Sequence, residues 1–242
     1  RAHLILSCDK EEYDNIVKNN FYDLGNFPTY SPLPWKNLPI TLQVKSQART
    51  ISSAVAFSAL GYKLSYAPHP FAPALSLSTE IMENTYLHKK IREQGGAYGS
   101  GATYNPITGH LYFYSYRDPH IANTYQVFTN AIHEIAQGKF TNKDLEEAKL
   151  LMIQEMDAPI SPGSRGITAY YQLRDGRIKK AKQEYRESIL AKTKKEIIEA
   201  VQVELEIQSK DGIAITFSSQ EMIEKENLLL ESEGRNLPII PI

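Results

Sequence analysis

Arg92 and Tyr98 stand six residues apart, separated by Glu93-Gln94-Gly95-Gly96-Ala97. A guanidinium offers several N–H donors in a fixed fork, and a phenol offers one O–H. Delivered from one turn, both could donate to a peptide carbonyl, or to the oxyanion that the carbonyl becomes during hydrolysis. Gly96 and Gly99 flank Tyr98 and strip bulk from the chain, which lets another backbone come close. A second reading stays open, because an Arg in the last turn of a helix is also favoured by the helix dipole.

Other chemistries find less support. The histidines are His3, His69, His88, His110, His120 and His133, and neither H-E-x-x-H nor H-x-x-E-H occurs. His133-Glu134-Ile135-Ala136-Gln137 comes nearest, with Gln137 where a second ligand would stand. His133 therefore reads as a helix-surface residue, and no metal ligand is assigned in this chain. A single cysteine, Cys8, can form neither an intrachain disulfide nor a thiolate zinc site. No G-x-S-x-G elbow is present. The glycines from Gly95 to Gly101 lack a following Gly-Lys-Ser/Thr and lie between helix and strand, the wrong order for a phosphate loop.

His110, Tyr112, Tyr114 and Tyr116 fall on one face of a strand. Such a row could stack bases, or it could belong to a half-buried strand packed beneath helices. Twenty-seven basic against twenty-eight acidic side chains leave a net charge of -1. That balance lacks the basic excess of a nucleic-acid partner or of a protein held on anionic lipid. No stretch of about 18 uncharged apolar residues exists to span a membrane.

The elements that must position Arg92 and Tyr98 follow from periodicity. The helix pattern runs from about Pro73 to Arg92, with Leu77, Ile81, Leu87 and Ile91 apolar, and Gly95-Gly96 stops it. Strands at Ala97–Tyr104 and His110–Tyr116 form a hairpin across a turn of Asn, Pro and Gly. Further strands are expected at Ala2–Ser7, Ile40–Ser46, Ser53–Leu60, Tyr62–Tyr66 and Gly212–Phe217. Asp9 opens a helix reaching about Phe21, and Asp118-Pro119 reads as a cap with Pro at the first helical position, the helix ending before Gly138. Two capping boxes, Thr141 to Asp144 and Thr193 to Glu196, open later helices. Helical patterns also cover about Gly163 to Asp175 and Arg177 to Ala191.

The 242 residues suffice for one large domain or for a domain with part of another. The proline-rich run Phe27 to Pro39 reads as a linker. Ala2 to Glu12 echoes Ile213 to Glu221, each a strand leading to an acidic helix start, as the two ends of copies of one duplicated domain would. The chain opens on Arg1 with no signal-peptide pattern, which reads as a piece of a longer polypeptide from the cytoplasm or an organelle matrix.

Leu87 to Gly101, the following hairpin and Tyr114-Ser115-Tyr116-Arg117-Asp118-Pro119 resemble the C-terminal half of the inverzincin metalloendopeptidases. Within that superfamily the likeness is closest to the presequence-protease branch. It extends through Gly138-Lys139-Phe140-Thr141, Asp144 to Ala148 and Asp157-Ala158-Pro159.

The resemblance implies an α+β fold, a two-layer sandwich of a mostly antiparallel sheet covered by helices, as one of four similar domains. Residues 1–24 would be the tail of the third domain, 25–37 the linker and 38–242 the fourth domain. It also implies that zinc and its H-x-x-E-H ligands belong to an N-terminal half of the same polypeptide, absent here. Arg92 and Tyr98 would reach a short, unstructured peptide held between the halves, with Gly96 and Gly99 beside it. Such a chain alone would be inactive. A non-catalytic scaffold or peptide-binding relative is the alternative, and unpaired strand edges leave self-association open.

Overall fold

The computed structural model describes residues 3–26, 45–232 and 234–240. The expected linker and most of the expected Ile40–Ser46 strand lie outside these residues. Helices in chain order are α1 (Lys10–Lys18), α2 (Ala72–Met82), α3 (Ala122–Ala136), α4 (Asn142–Met156), α5 (Arg165–Arg174), α6 (Lys179–Ala191), α7 (Lys194–Val201) and α8 (Gln220–Ser232). Strands are β1 (Gln47–Thr50), β2 (Ala56–Lys63), β3 (Gly99–Asn105), β4 (His110–Asp118), β5 (Ile213–Ser218) and β6 (Ile239–Ile240). The chain divides into two compact units, Arg1–Leu42 with Met156–Tyr185, and Gln43–Glu155 with Arg186–Ile242.

In the first unit Asp9 caps α1, its carboxylate accepting from Glu12 N at 2.8 Å. The helix ends at Lys18, short of the expected Phe21, because Asn20 to Asp23 turn left-handed at φ 50 to 63. Residues 3–9 form no strand, contrary to the alternation of the sequence. Alternation makes one face apolar but supplies no neighbouring strand to pair with. Ser7 Oγ instead accepts from Gly166 N at 2.9 Å.

The second unit holds a six-stranded sheet in the order β3-β4-β2-β5-β1-β6. Pairs β3–β4, β4–β2 and β2–β5 are antiparallel, whereas β5–β1 and β1–β6 are parallel. The expected Ser53–Leu60 and Tyr62–Tyr66 segments resolve into one strand, β2. The two-residue β6 had no sequence signal; it is placed by Pro238 O accepting from Ala48 N at 2.9 Å.

Alternation along β2 and β4 sends Leu60, Tyr62, Leu111 and Phe113 to one face, where they are buried. Helix α3 docks on that face through Tyr125. Its hydroxyl meets Thr216 Oγ1 at 2.8 Å and donates toward Ile215 O at 3.0 Å. Burial pushes the Tyr125 phenol up to about 12. The tyrosine row Tyr112, Tyr114 and Tyr116 lies on the opposite, open face, so it is not covered by helices as the packing reading supposed.

Both sequence-read capping boxes form: Asp144 N to Thr141 Oγ1 at 3.1 Å, and Glu196 with Thr193. Hydrogen bonds to Thr193 and Lys192 hold the Glu196 carboxyl down at about 2. Asp118-Pro119 does not cap α3, which begins three residues later. Asp118 ends β4 and is buried, accepting from His120 N at 2.9 Å and Thr124 Oγ1 at 2.7 Å. The helix start is satisfied from α8, where Glu226 Oε2 accepts from Ile121 N and Ala122 N, both at 3.0 Å.

Candidate functional site

Helix α2 starts with Pro73 in its first turn and is buried along nearly its whole length. Beyond Met82 it continues as a wider π-helix over Glu83–Glu93 with Leu87 and Ile91 buried, the i→i+5 pattern closing with Gln94 N donating to Lys89 O at 3.0 Å. Turns of this kind recur at functional sites. Gly95 and Gly96 stop it for separate reasons. A Cβ on Gly95 would lie 2.6 Å from Ile91 O, and Gly96 sits at φ +78, where a side chain is disfavoured. Gly96 N then donates to Arg92 O and Ala97 N to Ile91 O, both at 3.1 Å.

This turn leaves Arg92 and Tyr98 exposed on either side of it. Arg92 Nη1 lies 3.1 Å from His88 Nε2, and His88 Nδ1 lies 3.4 Å from Glu93 Oε1. A neutral His88 protonated on Nδ1 satisfies both contacts, with Nε2 accepting from Arg92. Tyr98 is 72 % exposed. Its ring edge rests on Tyr116 at 5.9 Å between centroids, and its N–H donates to Arg117 O at 3.4 Å. A Cβ on Gly99 would meet Tyr116 Cβ at an ordinary 3.9 Å, so the fold does not need glycine there.

Closer packing occurs at Gly101, which that reading did not single out. A Cβ there would lie 2.7 Å from Glu83 Oε2 and 2.8 Å from the Tyr114 hydroxyl oxygen. Glu83 Oε2 accepts from Ala102 N at 3.3 Å on edge strand β3. Burial raises the Glu83 carboxyl, and the Ala102 N–H opposes the shift. Burial and the neighbouring Glu83 likewise raise the Tyr114 phenol.

From Tyr98 the open face continues across the sheet. Gly99 pairs with Tyr116, Tyr116 with Phe57, Phe57 with Phe217, and Phe217 with Arg49. Tyr116 and Phe57 meet edge to face at 5.2 Å. The result is an aromatic floor beside two exposed donors. His133 pairs with Glu206 at 2.9 Å on the helix surface. Among the described residues no group of three or more His, Cys, Asp or Glu could hold a metal.

A mixed six-stranded sheet with helices packed on one face makes this an α+β domain. Residues 48–219 match the family model described as the PreP C-terminal domain, and the chain belongs to that family. A protein named presequence protease, mitochondrial, from Emericella nidulans is 32 % identical over 200 residues, covering 77 % of this chain and 19 % of its own length. The like-named protein of Danio rerio is 35 % identical over 159 residues, 65 % of this chain and 15 % of that one. The chain thus spans about a fifth or less of these relatives' length.

Solved structures agree on the fold. A protease from Helicobacter pylori superposes with TM-score 0.62 at 13 % identity, over 88 % of this chain and 53 % of that one. The inactive peptidase domain of a zinc protease from Bordetella parapertussis gives 0.58 at 15 % identity, over 69 % and 93 %. Among the described residues no helix is long and apolar enough to cross a membrane.

Proposed function

We propose that this chain is the substrate-binding C-terminal domain of a zinc metalloendopeptidase that degrades short unstructured peptides. The observation that carries the reading is the turn itself: Arg92 and Tyr98 are exposed across one double glycine, and among the described residues the Tyr98 hydroxyl has no protein partner. Arg92 and Tyr98 donate to the substrate carbonyl and to the oxyanion it becomes, while Gly96 and Gly99 leave room for its backbone. The aromatic floor gives an extended peptide apolar surface to lie on.

Zinc and its ligands belong, in this reading, to an N-terminal half of the same polypeptide, and the present chain is inactive alone. Residues 1–24 are the tail of the third domain, 25–37 the linker and 38–242 the fourth domain. The relatives' mitochondrial name supports an organelle matrix as the compartment.

The test is made in the full-length enzyme. Tyr98→Phe and Arg92→Ala should each lower kcat/KM on a flexible peptide by about 10²-fold or more, the usual effect of deleting one oxyanion donor. Bound zinc should stay unchanged. Wild-type turnover in both variants overturns the assignment, and a parent lacking H-x-x-E-H upstream would favour the scaffold alternative.

A further inference from the structure

The end of β4 departs from regular pairing at one residue. Ala56 lies opposite Asp118 and Phe57 opposite Tyr116, so Arg117 has no residue across from it. This is a β-bulge, and it breaks the alternation of the strand. Tyr116 and Arg117 are both exposed in succession, and Asp118 turns inward to be buried. Period-2 reading of the sequence would put Asp118 on the tyrosine face, so nothing in the sequence marks the bulge.

Arg117 adopts φ +52, a left-handed conformation that a residue with a Cβ enters only when its surroundings force it. The fold uses its backbone: Arg117 O takes the Tyr98 N–H at 3.4 Å. Its neighbours on both sides also support the Arg92/Tyr98 turn. Tyr116 lies under the Tyr98 ring, and Pro119 Cγ comes within 3.7 Å of where a Cβ on Gly96 would be. Yet the Arg117 guanidinium has no hydrogen bond, ion pair or ring contact among the described residues. A glycine would serve the bulge with less strain. The long cationic side chain is therefore free for something outside this fold, and it is anchored within the same small element as Tyr98.

We propose that Arg117 is a specificity-determining residue of this site, its guanidinium taking a carboxylate of the bound peptide. The inference rests on the function proposed above and adds a substrate preference to it. With Arg92 and Tyr98 serving the carbonyl, a planar cation that forks two N–H donors is matched best by a carboxylate. The carboxylate comes either from an acidic side chain or from the peptide's own C-terminus. Both present the same planar anion to the guanidinium.

The experiment uses the full-length enzyme and pairs of quenched peptides. Each pair exchanges Glu for Gln at one position flanking the cleaved bond, or a free C-terminal acid for an amide. Wild type should favour the carboxylate about tenfold in kcat/KM at one position or at the terminus, mainly through KM. Whichever arm shows the preference identifies the source. The ratio should fall with added salt, as an exposed ion pair is screened.

Arg117→Gly, which keeps the left-handed bulge, should bring the ratio to about one, and Arg117→Lys should retain part of it. A ratio unchanged in Arg117→Gly, or no carboxylate preference in wild type at any position, overturns the proposal. Tyr98→Phe separates it from the parent reading: turnover falls for every peptide while the ratio persists. If Tyr98 and Arg92 prove dispensable, anisotropy of the labelled acid and amide peptides on zinc-stripped full-length enzyme still reads the Arg117 contact. Equal binding of the two by wild type would then refute it.

Discussion

Glu226 is the acid on which the start of α3 depends. It is 7 % exposed, and one carboxylate oxygen accepts from Ile121 N and Ala122 N at 3.0 Å each. Glu226→Ala leaves two backbone donors in a buried setting without an acceptor. Hydrogen bonds to a charged group contribute about 1.5–3 kcal/mol each, and taking the lower end for both gives roughly 3 kcal/mol. Water entering the vacated volume argues for that lower end. For a chain of this size about 1 kcal/mol shifts Tm by roughly 2–4 °C, so a loss of about 6–12 °C is expected. Glu226→Gln keeps an acceptor oxygen and loses only the charge assistance, so its cost should be about half. Urea unfolding followed by circular dichroism measures both, with m unchanged. Hydrogen exchange at the Ile121 and Ala122 amides should accelerate in the Ala variant. A loss below about 1 kcal/mol, or equal losses for Ala and Gln, would refute remote capping as the source of stability.

One further outcome depends on protons and one on a side-chain contact. Burial, then the carboxylates of Glu155 and Glu83, raises Glu80 to about 7. Its stabilising contribution is therefore full below the unfolded value near 4.5 and is lost as pH rises through 7. The shift would be worth about 3 kcal/mol if undiluted, and partial solvent exposure reduces this to roughly 1. Glu80→Gln should stabilise the chain by that amount at pH 8 and not at pH 4, as urea titrations at the two values would show; a difference independent of pH refutes it. His88 Nε2 lies 3.1 Å from Arg92 Nη1. In the full-length enzyme His88→Ala should lower kcat/KM, and His88→Gln, whose amide oxygen can still accept from Arg92, should restore most of it; equal activity of the two variants counts against His88 as a positioning residue for Arg92.

What the sequence made legible was local. Gly95-Gly96, the Asn105–Gly109 hairpin turn and the boxes at Thr141 and Thr193 each satisfy their own backbone within a few residues, so their chemistry is written consecutively. Asp118-Pro119 carries the same local signature, yet the start of α3 is satisfied from 105 residues away. Alternation in β4 separated the tyrosines from Leu111 and Phe113 correctly. It could not say which face the helices would cover, because that depends on which of two half-apolar faces α3 meets. Residues 3–9 show the converse, a strand pattern with no partner strand. Around the candidate site, the Gly95-Gly96 stop that separates Arg92 from Tyr98 was readable from composition and spacing. Arg117 was not, since its bulge exists only relative to Ala56 and Phe57.

These particulars bear on how the exposed phenol of Tyr98 is held. Tyr98 makes one ring contact and one backbone bond, and its hydroxyl has no partner among the described residues, so no side-chain network fixes it. Its position is set by the main chain: a π-turn ending where Gly95 meets Ile91 O, a left-handed Gly96, and a left-handed Arg117 opposite Tyr98 N. A donor satisfied inside the fold would have to break a bond to engage an oxyanion, losing part of what it gains. A donor fixed only through its backbone gives up little when it binds. The strain at Arg117 is thus the counterpart of the unpaired phenol. The energy that a hydroxyl partner would have supplied is absent, and the well-packed sheet beneath Tyr116 keeps the turn in place instead.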